Sequence, residues 1–236
     1  MGRWSMAVWA VWASAAWCAS AGAEVPGLDV GVGPLGASTG NFLDEPSEKA
    51  VMSSDGRTYR AVYPGFGGLG VGGGLALDVR YLGIVGLELD LLFTNDEGTG
   101  EINGVEITLG QSAVHLPILF KLAVPSPLVK PNVFIGWEFV FVGDPKISAE
   151  QPILAALEAE AQDYQLLIFG LGAELAPPIE GVDLRFPVSL RGAIHLGDTG
   201  KIEDRVEVFP GGAGQSFDSR WQWHIYATLG VMYYFL

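Results

Sequence analysis

The chain has 236 residues, enough for one sizeable domain, with 13 Lys and Arg against 27 Asp and Glu. The formal charge of −14 at pH 7 argues against nucleic acid as a partner, because phosphate binding needs a basic surface. Charged residues are only 17% of the chain and mean hydropathy is positive at +0.32, an unusually apolar balance for a soluble domain.

The opening segment, "MGRWSMAVWAVWASAAWCASAGAEVPG", sets Arg3 before an apolar stretch that ends in Ala21-Gly22-Ala23, an A-x-A-like site. This pattern predicts a cleaved secretory signal peptide over residues 1–23, with the exported domain over 24–236. Cys18, the single cysteine, stands behind Trp17, where a lipid-attachment site needs a small residue. A lipid anchor is therefore not expected, and the exported domain has no disulfide. After residue 23 no apolar run is long enough for a spanning helix.

Residues 28–36 begin a series of eight segments in which apolar positions recur with period two, the mark of a β-strand. The second, 67–80, starts inside "GFGGLGVGGG", where Gly65, Gly67 and Gly70 satisfy G-x-G-x-x-G. That motif cradles a pyrophosphate only between a strand and a helix. Here loop-like "SSDGRTYRAVYP" precedes it and strand-like "GLALDVRYL" follows, so a dinucleotide site is not expected. Instead Gly68, Gly70, Gly72 and Gly74 share a face with Ala76, Asp78 and Arg80, opposite Leu69, Val71, Leu75, Leu77, Val79 and Tyr81.

Strands follow at 84–94, 107–122, 132–142 and 164–176. The fourth changes phase between Leu109 and Val114, which predicts a bulge near Gln111 or Ser112. Residues 151–162, "QPILAALEAEAQ", read as a short helix with Pro152 in its first turn. In "GVDLRFPVSLRGAIHL" one face carries Val182, Leu184, Phe186, Val188, Leu190, Ile194 and Leu196. The other carries Asp183, Arg185, Ser189, Arg191 and His195. The last strand, "RWQWHIYATLGVMYYFL", has every odd position from Trp221 to Phe235 apolar or aromatic.

Connections at 37–66, 95–106, 143–163 and 197–220 are long, and those at 81–83, 123–131 and 177–181 are short. In a meander of eight strands every long connection falls at one end. The expected fold is all-β: an eight-stranded antiparallel up-and-down transmembrane β-barrel with long extracellular loops and short periplasmic turns. Much of the less apolar face is glycine, alanine and serine rather than Lys, Glu and Thr, which places it in a narrow lumen. Aromatics group at both strand ends, Phe93, Phe139, Phe141, Trp221 and Trp223 at one and Tyr81, Phe186, Tyr233 and Phe235 at the other, as interfacial belts do.

The inward faces carry Asp78, Arg80, Glu88, Asp90, Lys121, Glu138, Glu174, Asp183, Arg185 and Arg191. In a narrow lumen these must pair. Counting along each strand puts Glu88, Asp90, Glu138 and Arg191 near mid-height and the others toward the short turns. Arg191 is then the one mid-height cation, expected on at least one of the three carboxylates. His115, His195 and His224 form no metal-binding spacing, and no H-E-x-x-H is present, so a hydrogen-bonding role in the lumen is expected. Ser189 and His195 share a face but stand ~20 Å apart along one strand, too far for proton transfer. The long loops hold 18 acidic and 7 basic residues, a surface suited to cation-bridged lipopolysaccharide or to an envelope protein.

The segment "VHLPILFKLAVPSPLVKPNVFIGWEFVF" resembles the outer-membrane β-barrel domain family that includes PorT-like proteins. Its matching positions are Leu116, Pro117, Leu119 or Phe120, Lys121, Lys130, Pro131, Val133 and Gly136. "DYQLLIFGLGAEL" is similar to that family's next strand through Gly170, Gly172 and Glu174. The resemblance implies location in the outer membrane, and no catalytic residues come with it. Leu236 follows Phe235 where an aromatic read by the barrel-assembly machinery is usual. The expected function is thus non-enzymatic: a small outer-membrane barrel without cofactor or metal, structural or partner-binding, with a side-chain-plugged lumen. The alternatives are a passive channel for small or hydrophobic solutes and a soluble secreted ligand-binding barrel.

Overall fold

The structure is a computed structural model and describes residues 27–43, 47–52, 58–63, 67–102, 105–149, 159–196, 201–204 and 218–235. The residues expected to form a signal peptide lie outside them. The described strands are β1 (Leu28–Leu43), β2 (Ser47–Met52), β3 (Thr58–Tyr63), β4 (Gly67–Tyr81), β5 (Val85–Ile102), β6 (Val105–Ala123) and β7 (Val129–Val142). They continue with β8 (Lys146–Ala149), β9 (Ala159–Ala161), β10 (Tyr164–Leu175), β11 (Asp183–His195), β12 (Lys201–Asp204), β13 (Asp218–Gly230) and β14 (Met232–Phe235).

Eight of these paths make one antiparallel wall. β1 pairs with β4, then β4 with β5, β5 with β6, β6 with β7, β7 with β10 and β10 with β11. β11 pairs with β13 and β14, and both of these pair with β1. The ring is therefore closed and no wall strand keeps a free edge, which is how a sheet satisfies its own backbone. β13 and β14 are one wall path interrupted at Val231, whose amide donates to the Pro34 carbonyl at 3.1 Å.

Alternation sets the facing. Outward Leu69, Val71, Phe120, Val188, Leu190 and Leu229 are all more than half exposed, while inward Asp78, Glu138 and His115 are fully buried. Apolar outside and charged inside is the reverse of a soluble domain. The glycine run lies on β4 with Gly70 buried toward the lumen. A Cβ on Gly70 would stand 2.2 Å from Thr39 Oγ1 and 2.3 Å from Asp96 Oδ1, so glycine there makes room for the bond between those two side chains. Gly31 does the same for Tyr234, whose ring would lie 2.6 Å from an added Cβ.

Three sequence expectations are corrected. β6 carries no bulge: its register with β5 is unbroken from Val105 to Leu122, and Leu109, Gln111 and Ala113 all face inward. The apparent phase change arose because Leu109 is an apolar residue buried on the inner side, at 0% exposure. The extra residue sits on the partner, where the register slips by one between the Ala113–Val142 pair and the Gly110–Lys146 pair. The expected helix over 151–162 is contradicted at Ala159–Ala161, which is strand β9 held by β12; residues 151–158 lie outside the described residues. Residues 95–106, expected as a loop, mostly extend β5 and β6 into a tall hairpin that pairs up to Ile102 and Val105.

Candidate functional site: the charged lumen

Alternation along each wall strand aims the polar side chains at the barrel axis, where they gather into two tiers. The lower tier, toward the short turns, is ionic. Arg191 on β11 donates from Nη1 to Asp90 Oδ2 at 2.5 Å and from Nη2 to Glu88 Oε1 at 3.0 Å, and its Nε donates to Ser189 Oγ at 3.0 Å. Glu88 also accepts from Lys121 Nζ at 2.5 Å, and Lys121 lies 3.5 Å from Glu174 Oε1 and 3.8 Å from Asp78 Oδ2. Arg80 bonds to Glu174, and its Nε donates to Asp78 Oδ2 at 2.7 Å. The Tyr234 hydroxyl donates to the same Asp78 oxygen at 2.5 Å.

Arg185 ends the chain of contacts. Its guanidinium stacks 3.6 Å from the Tyr234 ring centroid and donates to Asp183 at 2.7 Å and Asp29 at 3.1 Å. Seven of the eight wall paths contribute a member, and β7 adds the Phe134 ring beneath Arg191, 5.7 Å from it. Most of these charges are removed from water: Asp78, Arg80, Asp90 and Glu174 are at most 1% exposed. Ions so placed hold only because each has an opposite charge or donor in contact.

The upper tier is built of rings. His195, Tyr164, His224, Tyr226 and His115 follow one another across the lumen with centroid separations of 5.7, 5.9, 5.8 and 5.9 Å. His115 anchors one end: its Nδ1 is 2.5 Å from Glu138 Oε1 and its Nε2 is 2.9 Å from Thr94 Oγ1 and 3.5 Å from Asp96 Oδ2. Thr39 donates to Asp96 Oδ1 at 2.8 Å, and the Tyr226 hydroxyl donates to Glu138 at 3.4 Å. Beside the tiers an apolar cluster of Leu35, Ala37, Ala76, Leu92 and Met232 fills the wall's inner side against Tyr234.

Of the charges singled out in the sequence, Glu88, Asp90, Arg191, Lys121, Asp78, Arg80 and Glu174 form one connected network. Arg185 and Asp183 join it through Tyr234. Glu138 is placed differently, on His115 in the upper tier rather than on Arg191. Asp96, Thr94, Thr39, Tyr164, Tyr226 and Tyr234 were missed as site residues. Asp96 had a signal: it continues the inner face of Glu88 and Asp90 at even positions, and was hidden by ending that strand at 94.

Thr94, His115 and Glu138 stand in the order hydroxyl, imidazole, carboxylate. A nucleophile in that arrangement needs a substrate within reach, and Thr94 is 3% exposed inside the lumen. Among the described residues no group of His, Cys, Asp and Glu is arranged to hold a metal ion.

No protein-family model matches the chain, and no curated protein does. Solved structures do. The outer membrane protein OprG from Pseudomonas aeruginosa is similar at a TM-score of 0.67 with 14% identity, over 88% of this chain and 95% of that one. The outer membrane protease OmpT from Escherichia coli aligns at 0.44 with 7% identity, over 90% and 98%. Ail, the attachment invasion locus protein of Yersinia pestis, solved with the heparin analogue sucrose octasulfate, aligns at 0.42 with 12% identity, over 88% and 99%. The likeness to OprG is one of fold: this chain is a small antiparallel β-barrel of that architecture.

Proposed function

We propose that the chain is a small integral outer-membrane β-barrel protein, non-enzymatic, whose lumen is closed by its own side chains and whose role is structural or partner-binding. One observation carries the membrane reading: neighbouring residues of one strand, Val188 and Leu190 against Ser189 and Arg191, take opposite environments. The first pair is 52% exposed on the outside and Arg191 is buried inside. In water such an exterior would aggregate; in lipid it is the stable arrangement. OprG, a solved barrel of similar fold, is itself an outer membrane protein. A secretory signal over residues 1–23 supplies the export route. The likeness of residues 114–141 to PorT-like barrels agrees with this location.

Closure of the lumen is supported by the tiers, since ions and rings meet across the axis with almost no surface left to water. Lipopolysaccharide, the barrel-assembly machinery and an envelope protein are the partners this reading assigns.

The test is a pair of substitutions on one strand. Val188→Arg is expected to cost about 2–4 kcal/mol of refolding stability in bilayers, the midplane penalty for a lipid-facing cation. Ser189→Arg, on the lumen side, pays no such lipid cost. A harmless Val188→Arg in the same titration would show that this face does not meet lipid.

A further inference from the structure

Short turns in water are built from Gly, Pro, Asn, Asp and Ser, the polar members solvating the exposed backbone. The three described turns at the short end of this barrel keep the glycines and prolines but replace most of the polar members with apolar ones. Across residues 82–84, 124–128 and 176–182 only Ser126 and Glu180 have polar side chains. Leu82, Val124, Leu128 and Ile179 are 58, 60, 50 and 45% exposed. The turns are also continuous with one another through backbone bonds, Ala123 N to Ile84 O at 2.8 Å and Ala176 N to Leu128 O at 2.8 Å. They form one apolar rim rather than three separate tips.

Leu82 makes the case sharper. It holds φ +54°, a left-handed conformation that bulky residues rarely adopt and that Gly or Asn would take with less strain. The strain is kept at a leucine whose side chain is mostly outside. Of the charged residues near this end, Asp29, Lys130 and Asp183 stand on the inward-alternating positions of their strands and Glu180 is exposed in the third turn, so the outer rim carries one carboxylate and no cation.

The outer apolar band is short on two strands, β5 and β10. On β5 the outward apolar residues run from Val85 to Phe93 before exposed Asn95 and Glu97. On β10 they run from Leu175 to Leu167 before exposed Gln165, which accepts a bond from Trp137 Nε1 at 3.2 Å. Nine residues at the usual strand rise and a tilt of about 40° span roughly 21 Å, whereas a barrel's lipid-facing band is about 25 Å tall. On these two strands the turns supply the difference; on β4 the outward apolar face is longer, from Tyr81 to Leu69.

We infer that the rim of turns, with Leu82, Leu128 and Ile179 at its edge, is seated in the acyl–headgroup boundary of the periplasmic leaflet, so that lipid is its partner and the barrel has no aqueous stub on that side. The inference rests on the membrane-spanning reading above and extends it to the turns. Its warrant is continuity: each turn prolongs the outer apolar face of the strands it joins, and exposed Glu180, a group that the headgroup side of the boundary solvates, is the one charged residue in the three turns.

Nitroxide labels on single cysteines test this in the full chain refolded into dimyristoyl phosphatidylcholine vesicles, with Cys18 replaced by serine. Labels go on Leu82→Cys, Leu128→Cys and Ile179→Cys, with Val188→Cys as the lipid reference and Glu97→Cys as the aqueous one. Collision ratios of oxygen to a water-soluble nickel chelate at the turns should exceed the Glu97 value several-fold and approach the Val188 value. Turn labels matching Glu97 while Val188 stays lipid-like would overturn the inference and leave the spanning reading intact. An aqueous Val188 label would remove both. Turn labels shielded from both reagents would mean that protein, a second copy included, covers the rim, and would also overturn it. Leu128→Cys and Ile179→Cys carry the test should Leu82→Cys fail to fold.

Discussion

The two halves of the lumen are held together by different physics. Toward the short turns, Arg80, Lys121, Arg185 and Arg191 interlock with six carboxylates, Asp29, Asp78, Glu88, Asp90, Glu174 and Asp183. Toward the long loops, five rings cross the axis; His115 meets two carboxylates, Glu138 and Asp96, and the Tyr226 hydroxyl meets Glu138. An ionic tier is costly to break one partner at a time, because each deletion strands a charge. A ring tier loses only contact area and a modest hydrogen bond at each step. The lower half should therefore be brittle to substitution and the upper half forgiving.

The largest contrast should come from Arg191→Ala. Removing this guanidinium leaves Glu88 with Lys121 alone and takes the cation from Asp90, at an expected cost of about 3–5 kcal/mol in unfolding titrations at neutral pH. The sign of the pH effect follows from linkage: without Arg191 the folded state takes up protons on its stranded carboxylates more readily, so the penalty should shrink by pH 4. Conductance of the same variant separates plug from pore. A water-filled lumen would screen the charges, leaving stability nearly unchanged and shifting ion selectivity instead.

His115→Gln probes the ring of the upper tier that meets two carboxylates. It exchanges a bond to the Glu138 carboxylate for a weaker amide contact, and about 1.5–3 kcal/mol is expected by the same titration. A cost above that of Arg191→Ala would reverse the ranking of the two halves. Tyr226→Phe keeps the ring and deletes only the hydroxyl bond to Glu138. Its cost should be about 0.5–1.5 kcal/mol, and a near-zero value in a calorimetric scan would sharpen the picture of a tier held by ring packing.

The barrel wall was legible because period-two alternation is a direct image of a two-sided sheet, and all eight wall paths stand where alternation predicted them. Legibility failed where a residue's side was judged by its polarity. Leu109 is apolar yet faces inward, so a straight strand looked bulged; Asp96 is acidic yet buried, so a strand looked like a loop. Partner choice was less legible still. Strand position put Glu138 level with Arg191, but the staggered register of a tilted barrel lifts it to His115, and no count along single strands contains that stagger. The ring tier draws on β6, β10, β11 and β13, and pairings of that range leave no trace in local spacing.

The Tyr234 hydroxyl meets Asp78 across 156 positions of sequence, and Arg185 meets Asp29 across another 156. Both bonds wait on the same event, the joining of the last wall path to β1. Local hairpins can zip early, but these contacts are among the most distant the chain makes, and distant contacts repay their loop-closure cost only at the end. Until that seam shuts, the lower charges have no full set of partners and need water. The order of assembly is thereby constrained: hairpins can form first, but the lower ionic network is completed only when the ends meet, so closing the seam and pairing its last charges are a single step.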